Sequence, residues 1–235
     1  MSVSFDFSDR VVLVTGASGA LGSAVAAAFA DAGATVCGAD LVAPDDEDAL
    51  IDPTAIDFYE GDFTDESDVA SVVEAVVDAH GGLDHLCPIA GTWRGGTPLH
   101  ETDAETVEFL LDVNLKTMFL ASKHALPHLR EREGTLVSVA SRSSLSGGEG
   151  DGPYRASKAG VRLLTETVAA ENAGVVRANA VMPSVIDTPA NREAMPDADH
   201  DAWVDPATIA RTVLSLSSEA TAATSGAAVP VYGEA

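Results

Sequence analysis

Tyr154 and Lys158 stand four residues apart, and Ser141 lies thirteen residues before the tyrosine. If the chain from Tyr154 to Glu171 is helical, phenol and ammonium lie one above the other on a single face. A positive charge there favours the phenolate, so a tyrosine whose pKa is ordinarily about 10 becomes able to exchange a proton near neutrality. Interconversion of an alcohol and a carbonyl needs a proton exchange of that kind. Alone, the spacing is also that of a half-buried tyrosine beside a solvated lysine, and the rest of the chain decides between the two.

A second group of residues points to a nucleotide. The apolar run Val11 to Val14 leads into Thr15-Gly16-Ala17-Ser18-Gly19-Ala20-Leu21-Gly22 and then into an alanine-rich stretch ending at Gly33. This order predicts strand, glycine turn and helix. Gly16 permits a tight turn, Gly19 lets the backbone approach a pyrophosphate, and Gly22 allows close packing of helix on strand. The helix N-terminus then faces the phosphates. The next strand, from Thr35, ends at Asp40, whose carboxylate is placed to bind ribose hydroxyls and to repel a 2′-phosphate. No arginine or lysine occurs between Arg10 and Arg94, so NAD(H) is favoured over NADP(H).

The elements that must position these groups alternate along the chain. Apolar strands are expected at 58–60, 83–87, 135–140, 175–181 and 228–232, and amphipathic helices at 66–80, 104–132, 153–171 and 206–217. Such alternation predicts an α/β fold, a doubly wound parallel sheet with helices on both faces. Residues 1–235 are read as one domain, without internal repeat or linker. The stretch from Pro183 to Asp205 is expected to be irregular and mobile. It follows a strand's C-terminal end, where ligands bind in open α/β sheets.

Charge narrows the class of partner. The chain has 37 acidic residues against 13 Lys and Arg, a formal net charge of −24, and its only lysines are Lys116, Lys123 and Lys158. The acids are spread along the chain and 46% of residues are hydrophobic, as for a folded domain with a solvated carboxylate surface. The composition resembles that of halophile proteins, whose self-repulsion is screened only at high ionic strength. Nucleic acid and anionic membranes are poor partners for it. No apolar run reaches about 18 residues and Met1 to Asp6 lack a basic or apolar leader, so a cytoplasmic protein is expected. Cys37 and Cys87 fall at the ends of predicted buried strands, as small apolar residues; no metal site or disulfide is suggested.

Together these motifs resemble the short-chain dehydrogenase/reductase family over essentially the whole chain. The resemblance implies a Rossmann-type sheet of about seven strands and a catalytic tetrad of Asn114, Ser141, Tyr154 and Lys158. It assigns cofactor contacts to Gly16, Ser18, Gly19, Leu21, Gly22, Asp40, Asp62, Phe63, Ala90, Gly91, Tyr154, Lys158, Pro183, Ile186 and Thr188. In the mechanism it implies, hydride passes between nicotinamide and substrate, Tyr154 gives or takes the proton and Ser141 orients the substrate oxygen. Lys158 depresses the tyrosine pKa, and Asn114 connects Lys158 to solvent; read from the residue alone, Asn114 is equally a helix-kink residue. A homodimer or homotetramer built on helices 104–132 and 153–171 is also implied, with a small molecule as substrate.

Two departures qualify the resemblance. Pro88-Ile89-Ala90-Gly91 stands where the family usually has Asn-Asn-Ala-Gly, and Ala20 stands where a glycine is more usual. Thr92 to Gly96 and Ile186 to Asp199 look like dihydropteridine reductase, a branch of the same superfamily, which makes NADH-dependent reduction of a quinonoid pterin the alternative activity. That branch lacks the serine and asparagine retained here, so a carbonyl or alcohol ranks first. A dinucleotide-binding protein without catalysis is the remaining alternative. Trp93, Arg94, Ser143 and Trp203 are candidate pocket residues, with Glu149 and Met195 beside them. Arg94 could clamp a substrate carboxylate or pair with a neighbouring acid, and Trp203 could stack on a substrate or anchor a lid.

Overall fold

A computed structural model describes residues 4–233 of the chain. The reading of Met1 to Asp6 as free of a leader therefore rests partly on residues 1–3, outside the described part. Seven strands form one parallel sheet. They are β1 (Val11–Thr15), β2 (Thr35–Asp40), β3 (Asp57–Glu60), β4 (His85–Pro88), β5 (Thr135–Val139), β6 (Arg177–Pro183) and β7 (Ala228–Val231), in the order β3-β2-β1-β4-β5-β6-β7. The connecting helices are α1 (Ala20–Asp31), α2 (Glu66–His80), α3 (Ala104–Leu111), α4 (Thr117–Glu131), α5 (Gly152–Glu171), α6 (Pro189–Ala194) and α7 (Pro206–Ser217).

Alternate strand residues feed two cores, which is why the strands read as continuous apolar runs. Val11 and Leu13 face the side covered by α2, α4 and α5, where Val72, Leu129 and Val161 pack. Val12 and Val14 face α1 and α7, with Phe29, Ile209 and Val213. The chain winds outward in both directions from the β1–β4 pair, so the two loops leaving those strands part there and open a crevice. Among the described residues no helix is long and apolar enough to cross a membrane.

Three expectations change. The helix expected at 104–132 is broken by a π-helical turn, Asp112–Lys116, between α3 and α4; Asn114 lies in that wider turn. The Pro183–Asp205 stretch is not irregular throughout: β6 runs to Pro183, α6 follows, and Ile186 bridges Val204. Thr188-Pro189 and Asp205-Pro206 each supply a capping oxygen followed by a proline at the first helical position, a start signal present in the sequence. The cysteines lie inside β2 and β4 rather than at strand ends; both are buried and free, and burial raises both thiol pKa values, Cys37 to about 12.

Candidate active site

The glycine turn lies at the mouth of the crevice. Gly16 has φ +67°, and a Cβ there would stand 2.7 Å from the Ala90 Cα, so the two loops meet at van der Waals limit. Any side chain at Gly22 would overlap the Gly16 carbonyl. Gly22 therefore packs α1 onto the turn itself, a tighter demand than the expected helix-on-strand contact. The α1 N-terminus at Gly19 carries no side-chain cap and no acidic residue in its first turn, so no side chain caps its first amides. Leu21 and Phe63 are buried in the two cores.

Asp40 ends β2 at the edge of this turn. Its carboxylate accepts from the Ser18 N–H at 2.9 Å and the Val42 N–H at 3.2 Å, while the Ser18 hydroxyl donates to the Val42 carbonyl at 2.6 Å. Asp62 accepts from the Thr64 N–H and hydroxyl at 2.8 and 2.7 Å. Pro183 closes β6 opposite Val231, and Thr188 caps α6 through its hydroxyl, which accepts from the Asn191 N–H at 3.2 Å.

The four residues of the expected tetrad come together where β5, α5 and the π-helical turn meet. Ser141 lies two residues past β5 and is buried; its hydroxyl accepts from the Ser143 N–H at 3.1 Å, and it acts on the Tyr154 phenol, whose pKa it lowers. Lys158 is buried one helical turn beyond the tyrosine. Its ammonium donates to the Val139 carbonyl at 3.0 Å, and burial lowers its pKa to about 8. The buried Asn114 amide clamps the loop after β4, accepting from the Thr92 N–H at 2.8 Å and donating to the Thr92 carbonyl at 3.0 Å and the Ser157 hydroxyl at 3.1 Å. A Cβ at Gly91 would lie 2.8 Å from Asn114 Oδ1 and 2.9 Å from Lys158 Nζ, so glycine keeps open the space between these groups.

One electrostatic expectation is reversed. The Tyr154 phenol is held above its ordinary pKa, chiefly by burial; the Ser141 hydrogen bond opposes this, Asp151 adds to it and Arg155 subtracts. The Lys158 ammonium is bonded to the Val139 carbonyl.

Next to this cluster a cavity of about 350 Å³ is bounded by Trp93, Arg94, Glu101, Thr106, Gly150 and Pro153 among others. Trp93 is half exposed at its rim. The Arg94 guanidinium lies 3.6 Å over the Phe109 ring and is in no ion pair among the described residues, so it is not consumed by a neighbouring acid. Trp203 is buried at 9% exposure against His200, an anchor rather than a stacking platform. Glu149 and Met195 are exposed. The sequence reading missed the Asp151–Arg155 ion pair beside Tyr154, although its i, i+4 spacing was a visible signal.

The pattern that defines the short chain dehydrogenase family matches residues 10–199. The 3-oxoacyl-[acyl-carrier-protein] reductase of Thermotoga maritima is 32% identical over 240 aligned residues, spanning 95% of this chain and 96% of that one. The L-fucose dehydrogenase of Mus musculus is 31% identical over 230 residues, spanning 92% and 84%. The ligand-free aldohexose dehydrogenase of Thermoplasma acidophilum superposes with a TM-score of 0.86 at 26% identity, covering 96% of this chain and 93% of that one.

Proposed function

Because the chain belongs to the short-chain dehydrogenase family, an oxidoreductase family acting on alcohols and carbonyls, we propose that it is an NAD(H)-dependent enzyme in which Tyr154 moves the proton. The observation that carries this reading is the gathering of the buried Ser141, Asn114 and Lys158 around Tyr154, with Lys158 one turn along the same helix. Nicotinamide dinucleotide, when bound, supplies or accepts the hydride. The glycine turn fits it: the uncapped amides of α1 would hold the diphosphate, and Asp40, fixed by Ser18 and Val42, would take the ribose hydroxyls. Asp62 and Phe63 would border the adenine. Ala90, Gly91, Pro183, Ile186 and Thr188 would border the nicotinamide end. With a carboxylate at Asp40 and no cation nearby in sequence, NAD(H) is preferred to NADP(H).

During reduction Tyr154 donates its proton to the substrate oxygen, and during oxidation it takes one back. A phenol held above its ordinary value keeps its proton near neutrality, which suits donation to a carbonyl. Ser141, already directed at Tyr154, orients the substrate oxygen against it. Lys158, with a pKa of about 8, remains mainly protonated at neutral pH and replenishes the proton toward the Asn114 side of the site. The intact serine and asparagine favour a carbonyl or alcohol over a quinonoid pterin and argue against a purely binding role. The cavity beside Trp93 and Arg94 is the place for a small-molecule substrate.

Leu111, Phe119 and Leu163 are exposed along α3, α4 and α5, and a second copy would cover them, in a homodimer or homotetramer that light scattering would detect. The net charge of −24 fits a setting rich in salt, where its self-repulsion is screened.

NADH oxidation in molar KCl, against ketones, 3-oxoacyl thioesters, sugar lactones and a quinonoid dihydropterin, with NADPH and a low-salt arm for comparison, tests the reading. Tyr154→Phe should keep NADH affinity and lose about 10²- to 10⁴-fold in turnover. Normal turnover in that variant, or turnover of the pterin alone, would overturn it.

A further inference from the structure

Between Ser146 and Tyr154 the chain carries four glycines, Gly147, Gly148, Gly150 and Gly152. Such a segment loses much conformational freedom on ordering, and nothing lies within 4 Å of the Cβ position at Gly147 to hold it. Yet it leads directly into the helix that carries Tyr154. Asp151 occupies the N-cap position of α5 without capping it. Its carboxylate instead accepts from Arg155 Nε at 2.5 Å, with side-chain exposures of only 15% and 23% for acid and base. The same guanidinium donates to the Ser146 carbonyl at 3.1 Å and lies over Gly148, where any side chain would overlap it.

One arginine thus ties the segment at three points. The segment in turn docks on the loop after β4: the Gly96 N–H donates to the Gly150 carbonyl at 2.8 Å, and a Cβ at Gly95 would stand 3.1 Å from Asp151 Cβ. Gly95 and Gly150 both line the cavity, so this junction forms its lip.

We propose that Asp151 and Arg155 are a positioning pair, a latch that holds residues 146–152 against the Gly95–Gly96 turn and so sets both the cavity lip and Tyr154. The assignment rests on Tyr154 being the proton donor. The groups that act on that phenol are Ser141, two residues past β5, Asp151 at the N-cap of its helix and Arg155 within it; Lys158, one turn on, is bonded to Val139. Asp151 and Arg155 act on the phenol with opposite sign. Neutralising each therefore shifts the phenol in opposite directions, which shows that the pair stands beside Tyr154, while exchange at residues 146–152 reads whether it holds the segment.

Two readouts need neither substrate nor turnover. The chain has three tyrosines, so subtracting the phenolate absorbance titration of Tyr154→Phe isolates Tyr154. In molar KCl, Arg155→Met should move that titration up and Asp151→Asn should move it down. Hydrogen exchange at residues 146–152 should quicken at least about tenfold in both variants, with Arg155→Lys partly restoring protection. Shifts of the same sign, or unchanged exchange in Arg155→Met, would overturn the latch; melting curves of Arg155→Lys keep the test open if Arg155→Met unfolds. Failure of every carbonyl substrate with the unaltered protein would instead remove the dehydrogenase reading and leave these measurements standing.

Discussion

The chain's two glycine-rich turns, Gly16 to Gly22 and Gly147 to Gly152, are held in opposite ways. In the first, backbone meets backbone: Gly16 abuts Ala90, and Gly22 leaves no room beside the Gly16 carbonyl. In the second, Gly147 faces open space and Gly148 lies under a side chain, so the Asp151–Arg155 ion pair, the Arg155 bond to the Ser146 carbonyl and one loop-to-loop hydrogen bond hold the segment. A turn fixed by backbone contact cannot adjust and suits an invariant ligand such as a diphosphate. A turn fixed by side chains can be re-set by changing one or two residues, which suits a substrate rim.

The largest expected effect comes from breaking the first turn. Gly22→Val forces a branched side chain into the Gly16 carbonyl, which no rotamer relieves, and should cost more than about 4 kcal/mol, read as loss of the cooperative melt or of NADH binding.

Acid should act on the same half of the molecule. His85 is buried between Phe7 and Phe29, its Nδ1 2.8 Å from the Thr135 hydroxyl, and burial lowers its pKa from 6.5 to about 4. As pH falls the unfolded chain takes up that proton first. Stability present above about 6.5 is therefore lost progressively toward about 4, by about 3 kcal/mol in all. Melting curves in that window should show the loss, and His85→Gln should flatten it.

The smallest effect sharpens the contrast. Gly147→Ala should change stability by less than about 0.5 kcal/mol, since its Cβ meets nothing and its φ is not positive. A large loss there would mean that the second turn is as tightly held as the first.

Much of the site was legible because its signals are local. The glycine turn, Asp40 at the end of its strand, and the Tyr154–Lys158 spacing each depend on residues close in sequence, and the structure sets Asp40 on the Ser18 amide of that turn and Lys158 one turn past Tyr154. Helix ends at Glu66, His80, Pro206 and Ser217 were read to the residue, since caps are local too. Elsewhere local reading fell short. The π-helical turn at Asn114 was legible only as the alternative of a helix-kink residue, because the amide's partners, Thr92 and Ser157, lie on other elements. Arg94 was weighed only against acids, yet its partner is Phe109, fifteen positions away across a loop.

By itself the sequence determined the alternation of strands and helices, the strand, glycine turn and helix at its start and the spacing of Tyr154 and Lys158. These follow from periodicity, backbone sterics and spacing along one helix. Only the tertiary structure decided where the charges point. It turned Lys158 to the Val139 carbonyl, raised the Tyr154 phenol by burial and spent Asp151 on Arg155 rather than on its helix cap. Desolvation and long-range pairing depend on what the fold brings alongside a group, and no window of sequence contains that.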